Sequence, residues 1–293
     1  MLHLRSKMAL VWFVGPFMML FLVFFVFPIG YSIYQSFFIE RIGVLHFVGI
    51  TNYATALSDS SFWSGFLRVI AYGVIEISVM IGLALTLALI MDTPRFKRWT
   101  TILRLVYFLP YAVPGVIAAI MWGFLYTPQL DVLLRLPADL GGHPITPLSS
   151  GALLFAIINI AVWGATGYFM MLYVASLSSV PRELYDAAHI DGCSQWQLAR
   201  FVKIPLLRPT LVLTTVLSMI GALQLFSEPE ILSNLTSVST SYTPNMDIYS
   251  TAFSYLDLQY SATLAIILGA ITVAASVAFL VATNRGDAIR RPT

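Results

Sequence analysis

Six stretches of this chain stay apolar for about 20 residues at a time, the length a helix needs to cross about 30 Å of hydrocarbon. They cover approximately 9–29, 69–91, 105–126, 152–175, 206–226 and 262–283. In hydrocarbon every backbone N–H and C=O must pair within the protein, so segments of this length are expected to be helices. The fold class this predicts is an all-α membrane protein with six transmembrane helices in one domain over 1–293. Composition agrees: 58% of the 293 residues are hydrophobic and only 10% charged, with a mean hydropathy of +0.83, outside the usual range of soluble domains.

Lys and Arg are retained on the cytoplasmic side of a membrane, and here they are divided unequally. Thirteen of the 16 fall on one side of the expected spans; only Arg41, Arg68 and Arg135 fall on the other. Both termini are therefore expected in the cytoplasm, as an even number of spans requires. These cations are scattered along membrane edges, so a nucleic-acid partner, which needs a clustered basic face, is not expected. Arg5 and Lys7 before an apolar run also resemble a secretory signal, but the run continues for about 21 residues and leads into "FPIGYSIYQSFF". Signal cores are shorter, about 7 to 15 residues, so a retained first span is expected. The single cysteine, Cys193, excludes a disulfide framework and a cysteine metal site within the chain.

The segments between spans differ in character. The short "DTPRFKRWTT" is basic and suits a tight cytoplasmic hairpin. The external segment around 127–150 is rich in Pro and Gly and predicts a short interfacial helix near 130–136. A later external segment carries Glu228, Glu230, Asp247 and Asp257 without Lys or Arg. That acidity fits either a solvated outer loop or a surface that receives a soluble partner.

One stretch breaks the apolar pattern on the cytoplasmic side: "ELYDAAHIDGCSQWQLARFVKIP", residues 183–205. Pro181 suits a first helical position, and Glu183 then lies where the helix dipole favours a negative charge. Gly192 can supply the left-handed turn that stops a first short helix. Ser194 with Gln197 has the capping-box spacing that starts a second, and Pro205 is expected to end it before the fifth span.

These residues resemble the "EAA" loop of the integral-membrane permease subunits of bacterial ABC importers: a triplet, three residues, Gly, nine residues, then I-x-L-P. Asp186-Ala187-Ala188 occupies the triplet with Asp for Glu, Gly192 follows at the family spacing, and Val202-Lys203-Ile204-Pro205 closes it. "VGITNY", "YFLPYAVPGVIAAIMW" and "SYTPNMDIYSTAF" extend the likeness to the carbohydrate branch, the maltose, glycerol-phosphate and oligosaccharide type. The resemblance implies the type I importer architecture and a place in the bacterial inner membrane. It implies that Glu183, Asp186, Ala187, Ala188, Gly192 and Pro205 form the docking surface for a cytoplasmic ATPase. It also implies partners: a second permease subunit forming a heterodimer, two ATPase subunits that bind ATP and Mg, and an extracytoplasmic substrate-binding protein.

The chain should bind no cofactor itself. It contains no Gly-Lys pair, hence no G-x-x-x-x-G-K-[ST] phosphate loop, and its four histidines stand on separate segments. No nucleophile-and-base arrangement suggests an enzyme. An ion-coupled carrier would need several ionisable groups at membrane depth, where Glu76 alone stands. A sugar path needs aromatic faces and polar groups; Asn159, Trp163 and Tyr168, with Gln224, Phe226, Glu228 and Glu76, are the candidates. The expected solute is a di- or oligosaccharide, with glycerol phosphate or a polyol as the alternative.

Overall fold

A computed structural model describes residues 2–93, 100–127 and 146–288, with Leu134 and Leu140 between, and side chains from Trp12 to Thr283. The basic residues at 95–98 and most of the helix expected near 130–136 lie outside the described residues.

In chain order, α1 (Leu2–Phe21), a π-helical turn (Leu22–Val26) and α2 (Phe27–Gln35) make the first passage. A hairpin of β1 (Phe38–Arg41) and β2 (Val44–Phe47) follows, paired antiparallel with Phe38 opposite Phe47. Then come α3 (Thr51–Ser58) and the long α4 (Ser60–Met91). The next passage is α5 (Thr100–Phe108), a 3₁₀ turn (Leu109–Ala112) and α6 (Gly115–Leu125). After it run α7 (Leu153–Ser178), the short α8 (Arg182–Ile190) and α9 (Gln195–Leu198), and α10 (Arg208–Leu223). The chain ends with α11 (Ser227–Leu232), α12 (Pro244–Tyr249) and α13 (Leu258–Ala288).

The stretch read as one span over 105–126 is two helices that meet at 95°. The cause is local. Val113 precedes Pro114 and is held extended (φ −82°, ψ 121°), the region to which a following proline confines a residue. Among the described residues, five other helical stretches are long and apolar enough to cross a membrane; the bent pair makes six if it counts as one passage.

The chain divides into two compact units, 1–64 with 244–271, and 65–243 with 272–293. In the first, polar contacts tie the hairpin to α3 and to the start of α13. Buried Asn52 donates to the carbonyls of Ser36 and Phe38 at 2.9 and 2.8 Å. Thr263 donates to Ser36, and the Tyr260 hydroxyl donates to Asp59 Oδ2 at 3.0 Å.

The second unit is held by helix faces. Small Ala84 and Ala88 on α4, one turn apart, bring that helix against Phe169, Met170, Tyr173 and Leu177 of α7, the role small residues have where helices meet in lipid. Two hydroxyl pairs join α7 to α10: Tyr173 with Thr214 at 2.8 Å and Ser176 with Thr210 at 2.9 Å. At Gly167 the approach to α5 is so close that a Cβ would overlap the Tyr107 carbonyl.

Candidate functional site

The polar stretch at 183–205 folds by its own caps. Pro181 stands as N-cap, one residue outside α8, rather than at the first helical position, and Glu183 lies in the first turn. Gly192 takes φ +78° after α8, the left-handed value that suits glycine. Ser194 Oγ accepts from the Gln197 amide and Gln197 Oε1 accepts from the Ser194 amide, so the expected capping box is formed.

Pro205 does not end the helix as expected. A π-helical turn spans Ala199–Lys203, a single turn follows over Ile204–Leu206 with Pro205 in its first positions, and α10 continues. A proline at the start of a turn loses little, since amides there have no partner, and the widened turn upstream accommodates the missing N–H. The first passage repeats the device, with its π-helical turn directly before Phe27-Pro28.

Glu183, Asp186 and Ala187 are exposed, while Ala188 is buried beneath them. Leu184, Ile190, Trp196 and Phe201 add exposed apolar side chains, with Trp196 at 69%. An apolar and acidic face on a polar loop is a composition suited to meeting another protein. Sequence reasoning missed Lys203 and Asp92: the Lys203 ammonium is buried and paired with Asp92 Oδ2 at 2.7 Å. Its only sequence signal is a lysine inside an otherwise apolar Val-x-Ile-Pro run.

The candidates for a solute path fall into two groups. Asn159, Trp163 and Tyr168 lie along α7, and each meets a residue of the bent passage. Asn159 donates to the Tyr126 hydroxyl at 2.9 Å, Trp163 meets Trp122 edge to face at 5.7 Å, and Tyr168 stacks on Tyr111 at 4.5 Å. Gln224, Phe226 and Glu228 stand where α10 ends and α11 begins, with Gln224 exposed at the C-cap. Glu228 Oε1 lies 3.3 Å from where a Cβ on Gly115 would sit, at the N-terminus of α6. A carboxylate there is favoured by the helix dipole.

Glu76 and Glu228 both lie within electrostatic reach of Tyr72 on α4. Glu76 is 6% exposed and has no hydrogen bond or ion pair with any described residue. Among the described residues, no group of three His, Cys, Asp or Glu could hold a metal ion.

Comparison with known proteins places this geometry in a family. Residues 80–285 match the model of the binding-protein-dependent transport system inner membrane component. The lactose transport system permease protein LacF of Rhizobium radiobacter is 31% identical over 263 residues, 87% of each chain. The trehalose/maltose transport system permease protein MalF of Thermococcus litoralis is 33% identical over 184 residues, 61% of each. In structure, the chain matches a subunit of a bacterial ABC transporter that imports the acidic polysaccharide alginate, with a TM-score of 0.83 at 18% identity. That match covers 97% of this chain and 99% of the other. On these matches the chain, with its apolar passages and its capped polar loop, belongs to the binding-protein-dependent inner membrane components: it is a multi-pass permease subunit of an ABC importer.

Proposed function

We propose that this subunit passes a neutral carbohydrate, a di- or oligosaccharide, across the inner membrane. It does so beside a second, different permease subunit. Two cytoplasmic ATPases that bind ATP and Mg drive the cycle, and an external binding protein delivers the solute. The observation that carries this reading is the loop of α8 and α9: polar, held between its two helices by the Gly192 turn and the Ser194–Gln197 capping box, and continuous in chain with α7 and α10. A rigid insert transmits a push to the helices it joins, where a flexible linker would absorb it.

Glu183, Asp186, Ala187, Ala188, Gly192 and Pro205 form the docking element in this reading. Ala187 permits close packing, the carboxylates meet cations of the ATPase, Gly192 sets the turn after α8, and Pro205 stands in the turn that leads on to α10. Relatives named for lactose and for trehalose and maltose support a sugar. The side chains near the helix breaks also support it. Carboxylates accept hydrogen bonds from hydroxyls, and Glu76 offers acceptors that no described protein donor fills. Gln224, Phe226 and Glu228 are the further contacts. Asn159, Trp163 and Tyr168 shape the wall through their ring and amide partners.

The test is purification in mild detergent followed by mass spectrometry, with Glu183→Lys in parallel. An ATPase should accompany the parent protein and be lost from the variant. Equal recovery with both, or none with either, refutes the docking role. Uptake of lactose, maltose and trehalose by the reconstituted complex then tests the solute class.

A further inference from the structure

Asp92 follows the last residue of α4, and Lys203 ends the π-helical turn after α9. The loop is continuous in chain with α7 and α10, so it reaches α4 only through space. Lys203 Nζ and Asp92 Oδ2 are 2.7 Å apart, with side chains 6% and 22% exposed. The same ammonium sits 5.3 Å from the centre of the Tyr185 ring on α8, and the Tyr185 hydroxyl donates to the Leu177 carbonyl at the end of α7. Burial, reinforced by the nearby Asp92 carboxylate, raises the pKa of the Tyr185 phenol, which keeps that donor protonated. These side chains connect α8, the π-helical turn, α7 and α4 in one chain of contacts.

Beside them the interface is open. A cavity of about 450 Å³ lies between the end of α4 and the loop, lined by Asp92, Arg104, Arg182, Tyr185, Asp186 and Lys203 among others. Dispersion contacts lapse across such a gap; among the described residues the ion pair crosses beside it, next to an apolar cluster of Met91, Leu177 and Leu207.

We propose that Lys203 and Asp92 are positioning residues of the transport cycle. They lock the docking loop to α4, so that a displacement delivered to α8 moves α4 together with α7 and α10. The inference rests on the docking reading above. It assigns to the pair the polar part of a junction that apolar packing of Met91 with Leu177 and Leu207 shares.

Removing one partner leaves a buried charge uncompensated, which mixes folding with coupling. The informative variants are therefore the neutral pair Asp92→Asn with Lys203→Met, and the reversed pair Asp92→Lys with Lys203→Asp. Spin labels are attached at Ile90→Cys on α4 and Arg200→Cys on the loop, in a Cys193→Ser background. The label separation is measured in the whole transporter in nanodiscs, without nucleotide and with ATP and vanadate. In the parent the separation should be the same in both states. In the neutral pair it should differ between states while ATP hydrolysis persists, and the reversed pair should restore constancy.

A neutral pair whose separation stays constant overturns the proposal. Where the neutral pair does not assemble, the reversed pair decides alone: constancy upholds the ion-pair lock, and a changed separation refutes it. A parent protein that recovers no ATPase fails at an earlier step, and that result removes the docking reading and this proposal together.

Discussion

The first passage and α7 are both apolar enough to cross a membrane, yet they are stabilised in opposite ways. Of the most apolar stretch within Trp12–Gln35 none is buried, whereas half of that in Leu153–Ser178 is. The first passage is the more apolar of the two. Hydropathy thus marks what leaves water, and the arrangement of small and polar residues marks what meets protein. α7 carries Gly167 against α5, hydroxyl partners for α10 and ring partners for the bent passage. The first passage carries Trp12, Phe13, Phe17, Phe24 and Phe27, all exposed. Its unit is tied instead by polar contacts in the hairpin, α3 and the start of α13.

Four substitutions test that contrast. The largest effect is expected for Gly167→Leu, whose side chain has no room beside the Tyr107 carbonyl. Accumulation of folded protein in membranes should be lost, and normal yield would refute the close approach of α7 and α5. Next, in the other unit, Asn52→Ala strips a donor from each of the Phe38 and Ser36 carbonyls, the latter still served by Thr263. Leaving buried polar groups unpaired costs about 1–3 kcal/mol, to be seen as a lowered unfolding temperature in detergent.

Asp247 comes third. Burial, with the Asp59 carboxylate adding to it, raises its pKa to about 6 from 3.8. The folded state therefore holds its proton more tightly than the unfolded chain does. The associated stability is full below about pH 4 and is lost as pH rises through about 6. Asp247→Asn should remove that dependence and leave the protein about 1–2 kcal/mol more stable than the parent at pH 7, allowing for partial solvent screening. A parent protein with no loss of stability between pH 4 and 7 would contradict it. The smallest effect belongs to Phe17→Ala, 65% exposed on the first passage. It should change stability by less than about 0.5 kcal/mol; a larger loss would mean that the first passage leans on protein.

Much of this was legible beforehand because it is local. Apolar length gave the passages, and Gly192, Ser194 and Gln197 set the loop's bends through bonds to near neighbours. Pro110 and Pro114 were equally visible within the third passage, but a proline predicts a disturbance and not its angle; the 95° bend needed the structure. Pro205 looks like a stop in the sequence because its missing amide is visible there and the π-helical turn that absorbs it is not. Asn159, Trp163 and Tyr168 stand out in the sequence, but their partners, Tyr126, Trp122 and Tyr111, lie on another passage and show only in the structure. Lys203 and Asp92 escaped notice for the same reason, their contact being long-range.

The caps at Gly192 and Ser194 bear on how often the importer can turn over. A segment that became ordered only on contact would lose about 1–2 kcal/mol of backbone entropy for each residue fixed, at every encounter. Here that loss occurs once, when the chain folds, so under the docking proposal above α8 and α9 would meet their partner already in shape. Preorganised surfaces of this kind can associate and separate with little reordering, so the joint can survive repeated loading without melting and rebuilding its own helices.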